Sequence, residues 1–550
     1  MRRRLSAQGR FLVGLLPAKA DLARARQAPG RDLLAGLTVA IVALPLALAF
    51  GAASGLSAQA GITTAVIAGI LAAVFGGSNV QISGPTGAMT VVLIPVVHQF
   101  GPSGLLQVGL MAGIILIGLS VSRLGRYVRY LPTSLVEGFT AGIAVVIALQ
   151  QVPNMLGVAA GDQDQVWSVA ADAVVRYLAE PDPVPLLIAL GVAAMILLGA
   201  RWKPSVPLSL LAVAVATALA QWLGLDLEVI GHLPGGIPAP DAGFLDPALI
   251  AALLPSAFAI AALAALESLL SATVADGMTV GEHHNPDREL LGQGLANLVV
   301  PFFGGVPATA AIARTAVNVR SGARSRLASV SHSVILLVFV MLAAPVVGII
   351  PMAALGGVLL AVTIQMVQVG AIRSILGSTR GDAIVLILTF GVTVAIDLVT
   401  AVVVGLIVAA LLALRSVSRA AYLERVPLDE GGDEGEPLEH DIIAFRFDGP
   451  LFFGAAHRFL LELMQVTDVS VVILRMSRVS TIDATGAAML DDAISRLERR
   501  GIVVLLSGIR PRHGRVLTAL GALSRLEHSG RVFSETPEAI AYARSIDRGR

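Results

Sequence analysis

Two residues that could bind a cation lie within a long apolar stretch of the sequence. Glu267, in AALAALESLLSATVAD, precedes Asp276 by nine residues, a separation of about 13 Å along a helix. A carboxylate at that depth in a bilayer indicates either a site for a coupling cation, H+ or Na+, or a structural hydrogen bond between helices. Ser271, one turn after Glu267, either shares that cation site or bonds to the backbone of its own helix.

A fixed cation lies in a second apolar stretch. Arg314 is predicted to lie about two turns into a short helix at residues 308–319. Its guanidinium either adds positive charge to an anion site at the start of that helix or extends to the membrane edge. The second alternative is open because Arg320, Arg324 and Arg326 follow soon after.

The other ionisable residues near apolar stretches suggest less specific chemistry. Glu137, in SLVEGFTAGIA, is either a second titratable group or a helix-packing contact. Asp382 and Asp397 lie near the ends of predicted spans and are expected to be solvated. His283 and His284 stand in a short loop, where a solvated pair is expected rather than a metal site.

Two similar breaks interrupt the apolar pattern ahead of short helices. VFGGSNVQISGPT at 74–86 and FFGGVPATAAIARTA at 302–316 each contain Phe-Gly-Gly and then a Pro with a Thr within two residues. Pro85, flanked by Gly84 and Gly87, opposes a continuous helix. Gly and Pro could simply kink packed helices. Two helix N-termini facing each other near the bilayer midplane would instead form an anion site from backbone N–H groups.

The elements that must position these residues are membrane-spanning helices. The chain has 550 residues, of which 55% are hydrophobic and 14% charged, a composition typical of a polytopic α-helical membrane protein. The pattern predicts fourteen transmembrane segments in two inverted repeats of seven, at about 32–222 and 248–419. The segments lie near 33–54, 60–75, 84–98, 103–122, 132–150, 184–200, 205–222, 248–276, 287–304, 308–319, 326–347, 352–370, 381–397 and 399–418.

The distribution of basic residues predicts the orientation in the membrane. With the tail at 1–31 placed in the cytoplasm, eleven Lys and Arg residues fall in inner loops and only Arg176 in an outer one. We therefore expect a multi-pass protein of the cell membrane, with both termini cytoplasmic. The chain contains no cysteine, which excludes disulfides and thiolate ligands.

The C-terminal part has the composition of a soluble α/β domain. After the transmembrane domain at 32–419, an acidic, Gly-rich linker is predicted at 420–439. The domain at 440–550 alternates predicted strands with helical stretches. The strands are predicted at 442–447, 469–476 and 502–508, and a helix at 487–501.

The sequence resembles the SulP family of anion transporters from about Asp32 onward. The resemblance rests on LPLALAFGAASGL at 44–56, ISGPTGAMTVV at 82–92 and a long stretch at 267–325. The tail is similar to the STAS domain that ends many SulP proteins, with IDATG at 482–486 as its signature loop.

The resemblance implies a fixed gate domain and a core domain that carries the anion in elevator fashion. It places the anion between the third and tenth helices and beside the first, and the coupling cation at Glu267 and Ser271. The anion-site residues that it implies are Leu46, Phe50, Pro85, Thr86, Gly87, Thr309, Ala310, Ala311 and Arg314. Many relatives have Pro-Gln where this chain has Pro45-Leu46. In this respect the chain looks more like relatives that carry bicarbonate or dicarboxylates.

The resemblance also suggests interactions outside the transport site. Thr485 matches a phosphorylatable Ser in anti-sigma-factor antagonists, but we expect Thr485 to cap the following helix. A homodimer and a cytoplasmic partner of the STAS domain are further implications. Neither a cofactor nor a nucleic-acid partner is expected.

These observations predict a secondary transporter of a small anion, of the bicarbonate, sulfate or dicarboxylate class, driven by H+ or Na+ symport. An uncoupled anion channel or exchanger, a nucleobase permease and a membrane sensor with the tail as its output are the alternatives. No enzyme motif stands out in the sequence.

Overall fold

The computed structural model of the chain describes residues 14–547 apart from 131, 160, 162–164, 203–207, 232–234, 280, 282, 427–440, 454–458, 460, 464, 467–468 and 522. It divides into two compact units, Met1–Leu406 and Ile407–Arg550. The boundary between the two units, at residues 406 and 407, therefore lies near the predicted change of composition at about residue 420.

The first unit is helical, as its composition predicts. Its helices up to the second break are α1 (Lys19–Ala25), α2 (Pro29–Ala53), α3 (Ala58–Phe75), α4 (Gly87–Val121), α5 (Thr133–Gln150), α6 (Val152–Leu156), α7 (Val166–Ala179), α8 (Pro183–Trp202), α9 (Leu208–Leu223), α10 (Ile250–Met278) and α11 (Pro286–Val299). The later ones are α12 (Ile312–Arg320), α13 (Arg326–Gly348), α14 (Met352–Met366), α15 (Val369–Ser378), α16 (Arg380–Ala395) and α17 (Leu398–Ala420), the last of which contains the division between the units. Short 3-10 turns cover Gly125–Tyr130, Pro247–Leu249 and Val300–Phe303.

Each predicted segment overlaps helix, but the tenth and the twelfth differ in their bounds. Helix α12 begins at Ile312 rather than at 308, so Arg314 lies in its first turn, and the prediction that it lies about two turns into the helix is wrong. The third and fourth segments both lie in the range labelled α4, which contains two helices separated at Gly101, where φ is 69° and ψ is −175°, so the predicted division between them is confirmed. Glycine adopts this left-handed conformation without a steric penalty, and Pro102 follows it. The twelfth segment ends at Met366 and is followed by the separate helix α15. Helices α6 and α7, in the stretch after the fifth segment, were not predicted.

Nine of the helices in the described part of the chain are long and apolar enough to cross a membrane. The helix α12, with nine residues, is too short to span, as its sequence predicts. The total of fourteen spans remains a prediction.

Small residues allow the helices around the first break to pack closely. A Cβ added to Gly61 of α3 would lie 1.9 Å from the carbonyl oxygen of Ala47 in α2. A Cβ on Gly113 of α4 would lie 2.8 Å from the carbonyl oxygen of Gly294 in α11. Glycine at these contacts brings backbones together, which is a common basis of helix packing in lipid.

A two-stranded ladder joins the two breaks. β1 (Ser83–Gly84) pairs antiparallel with β2 (Thr309–Ala310), with Ser83 opposite Ala310 and Gly84 opposite Thr309. Because each strand leads into a helix, α4 and α12 leave from opposite ends of this ladder. Their N-termini therefore face each other across it, as the repeat predicts.

The second unit contains the predicted α/β domain. Its strands are β3 (Tyr422–Val426), β4 (Ile442–Leu451), β5 (Val471–Arg475), β6 (Val479–Ile482), β7 (Val503–Ser507) and β8 (Val532–Phe533), and its helices are α18 (Ala484–Arg499), α19 (Pro511–Ala519), α20 (Ser524–His528) and α21 (Thr536–Asp547). The strand order is β3-β4-β5-β7-β8, and β6 also pairs with β4. Only the β3–β4 pair is antiparallel among these pairings.

The sheet buries apolar residues on both faces. In β4, Ile443 and Phe447 belong to one apolar cluster, whereas Ile442 and Ala444 belong to another. This alternation follows from the two-residue period of a strand. Residues 422–426, assigned to the linker by composition, form β3 instead, because five consecutive residues pair with β4.

Candidate functional site

The start of α4 is built around the hydroxyl of Thr86. Thr86 is the N-cap of the helix, in extended backbone with φ −131° and ψ 158°. Its Oγ1 accepts a hydrogen bond from the backbone N–H of Met89 at 3.5 Å and donates one to Oε2 of Glu267 at 3.0 Å. Pro85 and the N-cap conformation thus end the strand and begin the helix, which places the Thr86 hydroxyl between α4 and α10.

Arg314 reaches from α12 to the start of α4. Its side chain is 2% exposed, and Nη2 donates to the carbonyl oxygen of Pro85 at 2.6 Å. Gly84 provides the space, since a Cβ there would lie 2.8 Å from Nη1. The alternative that Arg314 extends to the membrane edge is wrong, because its guanidinium is buried against the opposite break.

One nitrogen of Arg314 remains available within the site. Among the described residues, Nη1 has no hydrogen-bond partner, although the atom is buried. A buried donor without a partner is costly, so this atom is suited to an anion or an ordered water.

Glu267 and Arg314 carry opposite charges and bond to two adjacent residues, Thr86 and Pro85. Glu267 accepts from Thr86, Arg314 donates to Pro85, and the carboxylate and guanidinium attract each other. The hydrogen bond of Glu267 joins α10 to α4, so the bond between helices that was the alternative for this residue is present, while the cation site remains a prediction. The two charges cancel when both groups are ionised, which makes the site sensitive to any cation that binds the carboxylate.

The first helix contributes an apolar wall. Leu46 and Phe50, one turn apart on α2, are both buried. A Cβ on Gly87 would lie 3.0 Å from Cε1 of Phe50 and 2.2 Å from Cδ1 of Ile147 on α5. The structure therefore brings Phe50 and Gly87 together at the start of α4, with Leu46 one turn from Phe50 on α2, and adds Ile147, which was not predicted.

The second break differs from the first in how its threonine is bonded. Thr309 is fully buried, and its Oγ1 donates to the carbonyl oxygen of Ala264 at 3.1 Å and lies 2.9 Å from Oγ of Ser268. The N–H of Ala310 also approaches Ser268 Oγ, at 3.4 Å. Ala311 is the N-cap of α12 and has no side-chain cap. The hydroxyl of Thr309 is thus held by α10, and Ser268 supports β2.

Ser271 bonds to a neighbouring helix. Its Oγ donates to Oγ1 of Thr315 on α12 at 3.1 Å, and the same Thr315 oxygen accepts from the N–H of Ile82 at 3.1 Å. The alternative that Ser271 bonds to the backbone of its own helix is wrong, because its hydroxyl donates to α12 instead, and its share in a cation site remains a prediction. Ser271 lies one turn from Glu267 and connects α10 to the second break.

Two polar residues of α11 hold the ladder in place and were missed from the sequence. Gln293 Nε2 donates to Ser83 Oγ at 2.7 Å. Asn297 bonds twice to Ala308, with Nδ2 donating to its carbonyl oxygen and Oδ1 accepting from its N–H, both at 2.8 Å. These buried amides satisfy backbone and hydroxyl groups beside β1 and β2. The only available signal was their occurrence in an otherwise apolar segment.

The remaining ionisable residues lie in other contacts. Glu137 is half-buried on α5, and Asp397 is exposed, as expected. Asp382 is partly exposed and accepts hydrogen bonds from Ser134 Oγ at 3.0 Å and Thr379 Oγ1 at 2.8 Å in the first turn of α16.

The two adjacent histidines have different surroundings. The side chain of His283 is 89% exposed, as expected for a solvated residue. Nδ1 of His284 lies 2.8 Å from Oδ2 of Asp276, so the expectation of a solvated pair is wrong for His284. Within the described residues, no cluster of three or more His, Asp or Glu side chains could hold a metal ion.

Thr485 does not cap the helix that follows it. The N-cap of α18 is Asp483, whose Oδ1 accepts from the N–H of Gly486 at 2.7 Å. Thr485 is already inside the helix and exposed. The prediction of Thr485 as the cap is therefore wrong, and the capping residue lies two positions earlier. Asp483 has the extended backbone that an N-cap requires.

Similarity to known proteins agrees with this architecture. The family model described as "Sulfate permease family" matches residues 30–389, and the "STAS domain" model matches residues 437–539. YvdB of Bacillus subtilis is 34% identical over 90% of this chain and 94% of its own length. The bicarbonate transporter BicA of Picosynechococcus is 30% identical over 87% of this chain and 88% of its own.

Solved structures show the same fold. The transmembrane domain of a cyanobacterial bicarbonate transporter BicA has a TM-score of 0.62 and 31% identity, covering 70% of this chain and 98% of that domain. The murine Solute Carrier 26 family member A9 anion transporter has a TM-score of 0.86 at 18% identity, covering 99% of this chain and 96% of its own. The first unit and the sheet-containing tail thus match a transporter domain followed by a STAS domain. The chain belongs to the sulfate permease family, also called SulP, and carries a STAS domain.

Proposed function

We propose that the protein is a secondary active transporter of a small anion, coupled to H+ or Na+. The observation that carries the proposal is the contact of Glu267 with Thr86 at the start of α4, beside the buried guanidinium of Arg314. A helix start, a free guanidinium donor and a neighbouring carboxylate are the groups needed to bind an anion and a cation next to each other.

The charges of the site give the coupling a physical basis. With an ionised Glu267 the carboxylate cancels the charge of Arg314, and an anion gains little by entering. A cation bound at Glu267 leaves one net positive charge, in a site where burial makes the attraction stronger than it is in water. The order cation first, anion second therefore allows one site to couple two ions of opposite sign.

The donors of the site favour a small oxyanion. The first N–H groups of α4 have no partner within the helix, and Nη1 of Arg314 is free of protein partners among the described residues. Phe50 lies against Gly87 as an apolar wall, with the buried Leu46 one turn away on α2, which suits a compact substrate.

The relatives narrow the choice of substrate. The similarity to BicA, a bicarbonate transporter by name, supports bicarbonate, and the family model supports sulfate. A small dicarboxylate remains in the proposed class. The family match removes the reason to consider a nucleobase permease.

The proposal includes the transport cycle and the setting. We infer an elevator motion of a core domain against a gate domain, in a cell-membrane protein with cytoplasmic termini and fourteen spans. Eleven basic residues in predicted inner loops against one in an outer loop support this orientation. A homodimer and a cytoplasmic partner of the STAS domain belong to the same proposal and rest on family resemblance.

The proposal is tested by transport in proteoliposomes. Purified protein is given labelled bicarbonate, sulfate or succinate, with an imposed H+ gradient, an imposed Na+ gradient or neither. We expect accumulation of at least one anion only when one of the cation gradients is present. Equal flux without any gradient would instead identify an uncoupled channel or exchanger.

Variants of two carboxylates connect the result to the site. Glu267→Gln is expected to abolish accumulation against a gradient, because the amide cannot take up the coupling cation as a carboxylate does. Glu137→Gln removes another half-buried carboxylate and is expected to retain accumulation. Full accumulation by Glu267→Gln would contradict the proposed mechanism.

A further inference from the structure

We propose that the hydroxyl proton of Thr86 transmits cation binding at Glu267 to the anion site. In the unloaded site this proton is donated to the carboxylate, and once a cation occupies the carboxylate it is donated to the anion. The inference rests on the proposed function and adds to it the atom through which the two ions are coupled.

The geometry of Thr86 permits such an exchange. A hydroxyl has one proton to donate and two lone pairs that accept. Oγ1 of Thr86 donates to Glu267 Oε2 at 3.0 Å, while the N–H of Met89 approaches the same oxygen at 3.5 Å. The oxygen is thus held at the helix start as an acceptor, and only the direction of its proton has to change.

The position of Thr86 restricts where that proton can go. Its side chain is 8% exposed, so few solvent molecules compete for the bond. As the N-cap, Thr86 lies beside the first N–H groups of α4, where an anion would bind. Among the described residues, the acceptor bonded to the Thr86 hydroxyl is the Glu267 carboxylate, and an anion at the start of the helix would be a second acceptor.

Charge decides which of these acceptors receives the proton. An ionised carboxylate is a strong acceptor, and hydrogen bonds to charged groups are about twice as strong as neutral ones. A bound cation weakens the carboxylate as an acceptor and leaves the anion as the stronger one. Cation binding thereby adds a hydrogen bond to the anion without moving any heavy atom of Thr86.

The matching threonine of the second break is not able to respond in this way. The Thr309 hydroxyl is held by the carbonyl oxygen of Ala264 at 3.1 Å and by Ser268 Oγ at 2.9 Å. Neither partner is an ionisable group. The exchange is therefore specific to the first break, although the two breaks are similar in sequence.

Anion binding to four purified full-length proteins tests the inference. The dissociation constants for sulfate and bicarbonate are measured by calorimetry for the wild type, Glu267→Gln, Thr86→Val and the double variant. Removing the carboxylate charge strengthens binding in both backgrounds. With Thr86 present it also replaces the charged acceptor of the hydroxyl by a weaker, neutral one, so the gain in affinity should be larger by about tenfold than with Thr86→Val.

Two controls separate the exchange from a structural role of Thr86. Thr86→Ser keeps the hydroxyl and is expected to restore the larger gain. Thr90→Val removes a nearby buried hydroxyl, which donates to the carbonyl oxygen of Gly87 at 2.7 Å. In this variant, Glu267→Gln should increase the anion affinity by the same factor as in the wild type.

The outcomes distinguish this inference from the proposed function. Glu267→Gln could increase the anion affinity by factors that agree within about twofold with Thr86 and with Thr86→Val. If the wild type still shows cation-driven uptake, that result would overturn the proton exchange and leave the proposed function in place. Absence of cation-driven uptake in the wild type would overturn the proposed function, and the exchange with it.

Discussion

Arg314 on α12 donates a hydrogen bond of 2.6 Å to the carbonyl oxygen of Pro85, across 229 residues of sequence. This contact ties the start of α4 to the second break. It also places a permanent positive charge where the backbone N–H groups of α4 are exposed. The two breaks are therefore joined in one candidate site, in which a side chain from the second break bonds to the residue before the helix start of the first.

Replacing Arg314 should greatly weaken anion transport. Arg314→Gln removes the positive charge, leaves Glu267 uncompensated and loses the charged hydrogen bond to Pro85. A charged hydrogen bond contributes about 1.5–3 kcal/mol, so uptake at subsaturating substrate should fall by at least about tenfold. The measurement is the initial rate of labelled bicarbonate or sulfate uptake in proteoliposomes.

A matched control lies on the same helix. Arg320→Gln changes an exposed arginine in the last turn of α12 and should reduce the rate by less than about twofold, because surface charges contribute little. Equal losses in the two variants would argue that net charge on the helix, rather than the Pro85 contact, determines uptake.

Gly87 should tolerate no side chain at the start of α4. In Gly87→Ala the new Cβ would lie 2.2 Å from Ile147 Cδ1 and 3.0 Å from Phe50 Cε1, so these side chains must shift. Such overpacking costs about 1–3 kcal/mol and should lower the melting temperature in detergent together with the rate of anion uptake.

Another glycine of α4 provides the comparison for Gly87. A Cβ on Gly118 meets nothing within 4 Å, and alanine is favoured over glycine inside a helix by up to about 1 kcal/mol. Gly118→Ala should therefore leave the melting temperature unchanged or raise it slightly. A large loss of stability in both variants would show that α4 itself, and not the contact with Phe50 and Ile147, is sensitive to substitution.

The sequence allowed the position of the site to be predicted but not its bonding. Pro85, Gly84 and Gly87 indicated a helix start through local backbone preferences, which depend only on neighbouring residues. Glu267 and Arg314 stood out because charge is rare in apolar segments.

The contacts of these residues could not be predicted in the same way. The Thr86–Glu267 bond joins residues 181 positions apart, and no local preference specifies such a pairing. The same limit explains why Thr309 was treated as the equivalent of Thr86. Similar sequence at the two breaks gave no sign that Ser268 would bind the second hydroxyl.

Stability should depend on pH through Asp21 of α1. Burial raises the pKa of Asp21. Hydrogen bonds from Arg288 and from the N–H of Ala18, together with the charge of Arg326, lower the pKa by more, so its net value is below the usual one. The carboxylate lies 2.7 Å from Arg288 Nη2. A lowered pKa contributes stability above the unfolded value of about 3.9, and this contribution is lost as pH falls through the folded pKa.

The variant Asp21→Asn tests this dependence. At pH 7 it should be less stable than the wild type by about 1 kcal/mol, and the difference in melting temperature should shrink as pH falls below about 4. Asp226→Asn, which changes an exposed acid, should show no such convergence. A difference for Asp21→Asn that is constant with pH would mean that its effect comes from packing rather than charge.

Asp483 should matter more than Thr485 for the start of α18. Asp483 accepts from the N–H of Gly486 at 2.7 Å and from the N–H of Phe453 at 3.2 Å, so it fixes both the helix start and the end of β4. Asp483→Ala should cost about 0.5–2 kcal/mol and accelerate amide hydrogen exchange in residues 484–499 of the full chain. Thr485→Ala should change exchange there much less, because its exposed side chain lies beyond the cap. Faster exchange in Thr485→Ala than in Asp483→Ala would restore Thr485 as the capping residue.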